Sequence, residues 1–238
     1  MFSQPAVRTD PIRYPVSTRT APPAQSRASD DLSGGTNPLT RAMQMMGTAM
    51  SFPRNTEIFG ENEPADYVYQ VISGSVRTYK ILNDGRRQVA GFYLPGDIFG
   101  LEFAEGHTFS AEAIADTKAI LVKRSALMAL ATGNATISRE LLAITGRELR
   151  RVQDHVLLLV KSAQERVVTF LLEMAERARA GMTVELPMSR QDIADYLGLT
   201  IETVSRTLTG LESAAAIEVP TSRRIVLRNR SALRQLNG

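Results

Sequence analysis

The sequence predicts an α+β chain: an N-terminal antiparallel β-roll, a long helix, and a winged helix-turn-helix near the C-terminus. Three patterns carry this reading. Short β-branched and aromatic runs, punctuated by glycine turns, fill residues 51–122. A proline-free stretch over 135–161 places apolar residues at alternating steps of three and four. Residues 188–208 then set two short amphipathic segments on either side of Gly198.

The β pattern begins in earnest at 67–72, followed by Ser73-Gly74-Ser75 and a second run over 76–82. Asn83-Asp84-Gly85 comes next, and Asp-Gly between two such runs marks a hairpin. Further runs lie at 88–94, 98–100, 109–114 and 119–122, with Pro95-Gly96-Asp97 as a turn. Ahead of the roll, residues 1–36 carry Pro5, Pro11, Pro15, Pro22 and Pro23 among small and polar residues, which predicts a flexible arm. The expected domains are therefore the arm over 1–36, a sensor-like roll over 37–133, a dimerisation helix over 134–161 and a winged helix-turn-helix over 162–238.

Asn134 is the expected cap of the long helix. Leu142, Thr145, Leu149, Val152, Val156 and Leu159 form a heptad seam that two parallel copies can bury between them, giving a homodimer. A helix packed on its own roll uses similar spacing. Arg147, Glu148, Arg150, Arg151, Gln153 and Asp154 flank the seam and keep the apolar stripe narrow, which favours the dimer. The next helix opens at Ser162 and places Val167, Phe170, Leu171 and Met174 on one core-facing side, with Gly181 expected to end it.

Ser189 and Asp192 have the spacing of a capping box. Ile193, Ala194 and Leu197 give the helix after it an apolar face, and Ala194 is small where a second helix must cross. Gly198 suits the left-handed backbone of a tight turn. Leu199 plugs the corner, Thr200 caps the next helix, and Val204 and Leu208 turn inward. The outward residues are then Ile201, Glu202, Ser205 and Arg206, the expected readers of bases. A carboxylate accepts from cytosine N4, and a guanidinium forks onto guanine O6 and N7. A Glu–Arg pair four apart is also a common helix-surface ion pair, but the small–glycine–apolar frame around it favours DNA. Ser189, Arg190, Gln191, Thr200 and Thr203 are expected at phosphates. Residues 217–219 and 224–227 pair around Pro220-Thr221-Ser222 into a wing that brings Arg223 and Arg224 to the backbone. A net charge of +3 points only weakly to nucleic acid; the run Arg223, Arg224, Arg228, Arg230 and Arg234, with no acid after Glu218, points more firmly.

Other classes are poorly served. No apolar run approaches the ~20 residues of a membrane helix, and no secretory h-region opens the chain, so a cytoplasmic protein with no membrane partner is expected. There is no cysteine, which removes disulfides, thiolate nucleophiles and cysteine-held clusters. His107 and His155 are the two histidines, too few for a metal site, and no cofactor is expected. No catalytic constellation or phosphate-cradling loop appears, so an enzyme is not expected.

The order of parts resembles the Crp/Fnr family over roughly residues 40–235. The most specific stretches are 92–100 and 199–206. Glu202, Ser205 and Arg206 match the Glu-x-x-Ser-Arg pattern of the Fnr and FixK branch. The resemblance implies a β-roll of the cyclic-nucleotide-binding type and a transcription activator of genes for low-oxygen respiration or nitrogen fixation. It further implies a palindromic operator of TTGAT-type half-sites and contact with RNA polymerase. Dimer symmetry sets the half-sites about one helical turn apart, roughly 34 Å. Where the cyclic-nucleotide branch holds phosphate with Arg, this chain has Phe109 ahead of Ser110 and Ala111. A ring cannot replace that guanidinium. Glu102 is left as a ribose contact or, by preference, a structural residue. The chain thus resembles the FixK type, active without a small effector. The alternative is an effector-gated sensor in which Phe92, Phe99, Phe103 and Phe109 line a pocket; filling the core of the roll is their simpler role.

Overall fold

The computed structural model describes residues 37–102, 104–178 and 181–236. The arm expected at 1–36, and Phe103, lie outside the described residues. The roll comprises β1 (Thr48–Phe52), β2 (Glu57–Phe59), β3 (Tyr67–Ser73), β4 (Val76–Ile81), β5 (Arg87–Tyr93), β6 (Ile98–Phe99), β7 (Ser110–Ala113) and β8 (Thr117–Lys123). They form two antiparallel four-stranded sheets, ordered β1-β8-β3-β6 and β2-β7-β4-β5. Phe59, Tyr69, Val71, Val76, Tyr93 and Phe99, drawn from both sheets, make one apolar cluster inside the roll. Gly85 turns the β4–β5 hairpin at φ 82°, a backbone that side chains disfavour.

Two helices flank the roll that its sequence pattern does not announce: α1 (Pro38–Met46) and α2 (Arg124–Gly133). Asn37 caps the amide of Thr40, and Pro38 sits where its missing N–H costs nothing. Leu39 and Met43 are the only fully buried anchors of α1, too few to set a readable period. They pack with Val68, Ile120, Val122 and Leu127.

The long helix is α3 (Ala135–Leu158), and the Asn134 side chain accepts from the amides of Thr136 and Ile137. It has two distinct apolar stripes. Ile137, Leu141 and Leu158 are buried against their own chain, whereas Leu142, Leu149, Val152 and Val156 each remain more than half exposed. Packing within the chain therefore uses different residues from the seam. The helix stops three residues short of Lys161, with Leu159 as its C-cap.

The next helix, α4 (Ala163–Arg177), opens on a capping box of Ser162 and Glu165 and buries Val167, Phe170, Leu171 and Met174. Its expected end at Gly181 is corrected. The cap is Ala178 in ordinary helical backbone, with its amide on the Met174 carbonyl, and Gly181 does not take a left-handed conformation. Arg177, in the last turn, bonds to the Phe92 carbonyl at 2.6 Å and to Asp97 at 2.7 Å, tying α4 to the roll.

β9 (Thr183–Glu185), α5 (Arg190–Leu197), α6 (Ile201–Ser213), β10 (Ile217–Thr221), β11 (Arg224–Leu227) and α7 (Arg230–Gln235) complete the chain. The wing is a three-stranded sheet, β10-β11-β9. Its turn also differs from expectation. Thr221 pairs with Arg224, so Ser222 and Arg223 make the turn, and Pro220 falls in a register shift between Glu218 and Thr221. A bulge is where a strand tolerates a residue without an N–H.

One apolar cluster runs from the roll into this half: Val89, Phe92 and Ile114 join Phe170, Leu171, Tyr196 and Leu197. Phe92 therefore fills neither a pocket nor the interior of the roll. Strand alternation sends Tyr93 inward and Phe92 outward, to ring centroids 5.3 Å from Tyr196 and 6.2 Å from Phe170. Phe99 does fill the roll, and Phe109 is half-buried. Among the described residues, no helix is long and apolar enough to cross a membrane.

Candidate nucleic-acid interface

The two-helix unit is built by local rules. The Ser189 hydroxyl accepts from the Asp192 amide, and the Asp192 carboxylate accepts from the Ser189 amide at 2.9 Å and its hydroxyl at 2.7 Å. Gly198 takes φ 61° and breaks α5, with its amide on the Ala194 carbonyl. Thr200 then caps α6 by accepting from the Thr203 amide. Ala194 is fully buried at the crossing, and Val204, Leu208 and Leu211 bury the inner side of α6.

What remains outward is the arc expected from sequence. Ile201, Glu202 and Arg206 are exposed, and Ser205 and Thr203 are half-buried beside them. The Glu202 carboxyl lies below the usual carboxylate range, first because its own backbone amide bonds to it, then through the Thr200 hydroxyl and the nearby Arg206 charge. It is ionised at neutral pH, an acceptor only, as a cytosine amino group requires.

The phosphate set is less uniform than the sequence suggests. Gln191 is exposed and donates to Asp195 at 2.6 Å; Arg190 is half-buried. The Ser189 hydroxyl donates to Asp192 at 2.7 Å within the capping box. Arg223 sits in the wing turn. Arg224 lies 3.4 Å from Glu185, and Arg228 pairs with Glu218, so the basic run is partly matched by acids earlier in the chain. Such exposed pairs are weak and exchange readily for a phosphate.

Two anchoring contacts escaped the sequence reading. Arg166 donates to the carbonyls of Leu159 and Lys161 at the end of α3 and to that of Leu197 at the end of α5. Asp192 does more than cap: Arg77 and Arg87, from the roll, reach it at 2.6 and 2.7 Å. No local pattern marks either, because the partners come from distant parts of the chain. His155 lies with its ring 4.3 Å from that of Tyr196, and burial pushes its imidazole below the ordinary value.

In the roll, Glu102 takes a structural role. Its carboxylate meets His107 Nδ1 at 2.9 Å and the Thr108 amide at 3.2 Å. His107 is buried and stacks on Phe59, centroids 3.6 Å apart and planes 11° apart.

A capped helix pair with a polar outer arc, followed by a sheet wing and fused to a β-roll, defines a DNA-binding transcription regulator. Residues 165–236 match the Crp-like helix-turn-helix domain, and residues 49–134 match the cyclic nucleotide-binding domain. The chain belongs to the Crp/Fnr family of transcription regulators, in its FixK-type branch. It is 52% identical over 200 residues to the nitrogen fixation regulation protein FixK of Azorhizobium caulinodans, covering 81% of this chain and 80% of that one. It is 44% identical over 167 residues to the transcriptional activatory protein AadR of Rhodopseudomonas palustris, covering 68% and 70% of the two chains. The structure of FixK2 from Bradyrhizobium japonicum matches with a TM-score of 0.78 at 52% identity, covering 81% of this chain and 98% of that one.

Proposed function

We propose that the chain is a cytoplasmic, non-enzymatic activator that binds a palindromic operator as a homodimer, with no small effector, and contacts RNA polymerase. The carrying observation is the arc of Ile201, Glu202, Ser205 and Arg206 on a helix whose opposite side is buried. Glu202 and Arg206 read bases, Ile201 and Ser205 fit against base edges, and Ser189, Arg190, Gln191, Thr200, Thr203, Arg223 and Arg224 hold phosphates. Homodimerisation rests on the uncovered seam of α3, from Leu142 through Thr145, Leu149, Val152 and Val156 to Leu159. Effector independence is supported by Glu102, already engaged by His107 and Thr108, and by Phe109 where a phosphate would need a cation.

Selection of duplexes from a random pool tests this reading. The expected product is an inverted repeat of TTGAT-type half-sites about one helical turn apart. Repeating the selection with Arg206→Ala should relax one position in each half-site, a loss of about 1–3 kcal/mol in discrimination. An unchanged preference would remove Arg206 from the reading set, and a product with no symmetry would remove the dimer.

A further inference from the structure

One face of the β2-β7-β4-β5 sheet is turned toward the helix-turn-helix. Glu112 on β7, Arg77 on β4 and Phe92 on β5 are register partners across three strands, so their side chains share that face. Phe92 enters the common core, and Arg77 reaches Asp192 at 2.6 Å while holding Glu112 at 2.9 Å. Arg87, at the start of β5, bonds to Asp192 at 2.7 Å and to Asp195 at 2.8 Å. Both guanidinium carbons lie about the ring of Tyr79, at 5.8 and 6.0 Å from its centroid. The Asp192 side chain is 4% exposed and accepts from two arginines as well as from Ser189.

Charges so enclosed are stable only while paired. A roll and a helix-turn-helix that separated would leave Phe92 and Val89 facing water, so the ionic grip and the apolar contact hold or fail together. Asp192 also lies at the third residue of α5, which leads through the Gly198 turn into α6. Fixing that residue fixes the direction in which α6 points.

We propose that Arg77 and Arg87 are positioning residues for operator binding: by gripping Asp192 they hold α5, and with it the reading arc of α6, in its docked pose without an effector. This rests on the reading of α6 as the recognition helix. Neither arginine touches DNA in this role. Both act through Asp192.

The test uses the full-length protein with Arg87→Gln, Arg77→Gln, Arg87→Lys and Asp192→Asn. Ser189 is the N-cap and Asp192 its third-residue partner, so Asp192→Asn removes the charge, leaves the N-cap residue unchanged and keeps an amide oxygen able to accept from the Ser189 amide. Affinity for the selected operator is measured by fluorescence anisotropy over a salt series, with sedimentation and hydrogen exchange alongside. A docked population reduced to a small fraction lowers apparent affinity in proportion, so the glutamine variants and Asp192→Asn should bind roughly 10- to 100-fold more weakly. Amides over 190–213 should exchange faster while the oligomeric state stays that of the parent. Arg87→Lys, which keeps the charge, should recover most of the loss. The slope of log affinity against log salt should not change, because no phosphate contact is removed. Arg87 is the more exposed arginine, with side-chain exposure of 23% against 11% for Arg77, so Arg87→Gln carries the test if Arg77→Gln does not fold. A folded Arg87→Gln protein that binds like the parent overturns the proposal. So does a salt slope reduced by about one, which would make the arginine a direct phosphate contact. Failure of the recognition-helix reading looks different: Arg206→Ala would then leave operator preference intact whatever the arginine variants did.

Discussion

Replacing Phe170 by alanine should destabilise the protein by about 3–5 kcal/mol, a cost drawn from lost transfer energy and the cavity left behind. Phe170 is fully buried on α4, with its ring 6.2 Å from Phe92 of the roll and 5.8 Å from Tyr196 of α5. Three elements converge on this one ring, so no single backbone shift closes the space it would leave. Whole-protein stabilities of about 5–15 kcal/mol make that a large share. Urea denaturation followed by circular dichroism measures the midpoint, and calorimetry measures the melting temperature. Equal midpoints for parent and variant would mean that the cluster joining Phe92, Phe170 and Tyr196 contributes little to cohesion between roll and helix-turn-helix.

The residues of the helix-turn-helix were legible because its rules are local. Ser189, Ala194, Gly198 and Thr200 satisfy a cap, a close crossing, a left-handed turn and a second cap within a dozen positions. The exposed apolar stripe of α3 was legible for the same reason, since a helix repeats its face in the chain itself. Phe92 was not: alternation places it opposite Tyr93, but only the tertiary fold decides which side of the sheet carries a second layer. The grip on Asp192 was hidden more deeply. Its partners lie 115 and 105 residues away, and Asp192 already had a sufficient local role as a cap. Pro220 misled in another way. It reads as a turn residue, yet the turn closes one step later because a bulge absorbs the missing donor.

An effect of similar size, on assembly rather than on folding, is expected from Val152→Asp. Val152 is near the middle of the seam and 52% exposed in the single chain, on a stripe separate from the one that α3 buries against its own roll. In a parallel pair it meets its twin across the axis. Two aspartates there would be enclosed between helices with no cation of opposite charge in the seam, whose other members are Leu142, Thr145, Leu149, Val156 and Leu159. An uncompensated enclosed charge costs about 3–5 kcal/mol, so the dimer dissociation constant should rise by roughly a hundredfold or more. Operator affinity should fall with it, because a monomer engages one half-site and loses the gain of two linked contacts. The monomer itself should keep its fold, since the contacts buried within the chain run through Ile137, Leu141 and Leu158. Sedimentation equilibrium with Val152→Asp, beside Val152→Leu as a seam-compatible control, decides the point. A Val152→Asp protein that sediments as a tight dimer would place the interface on another face of the molecule.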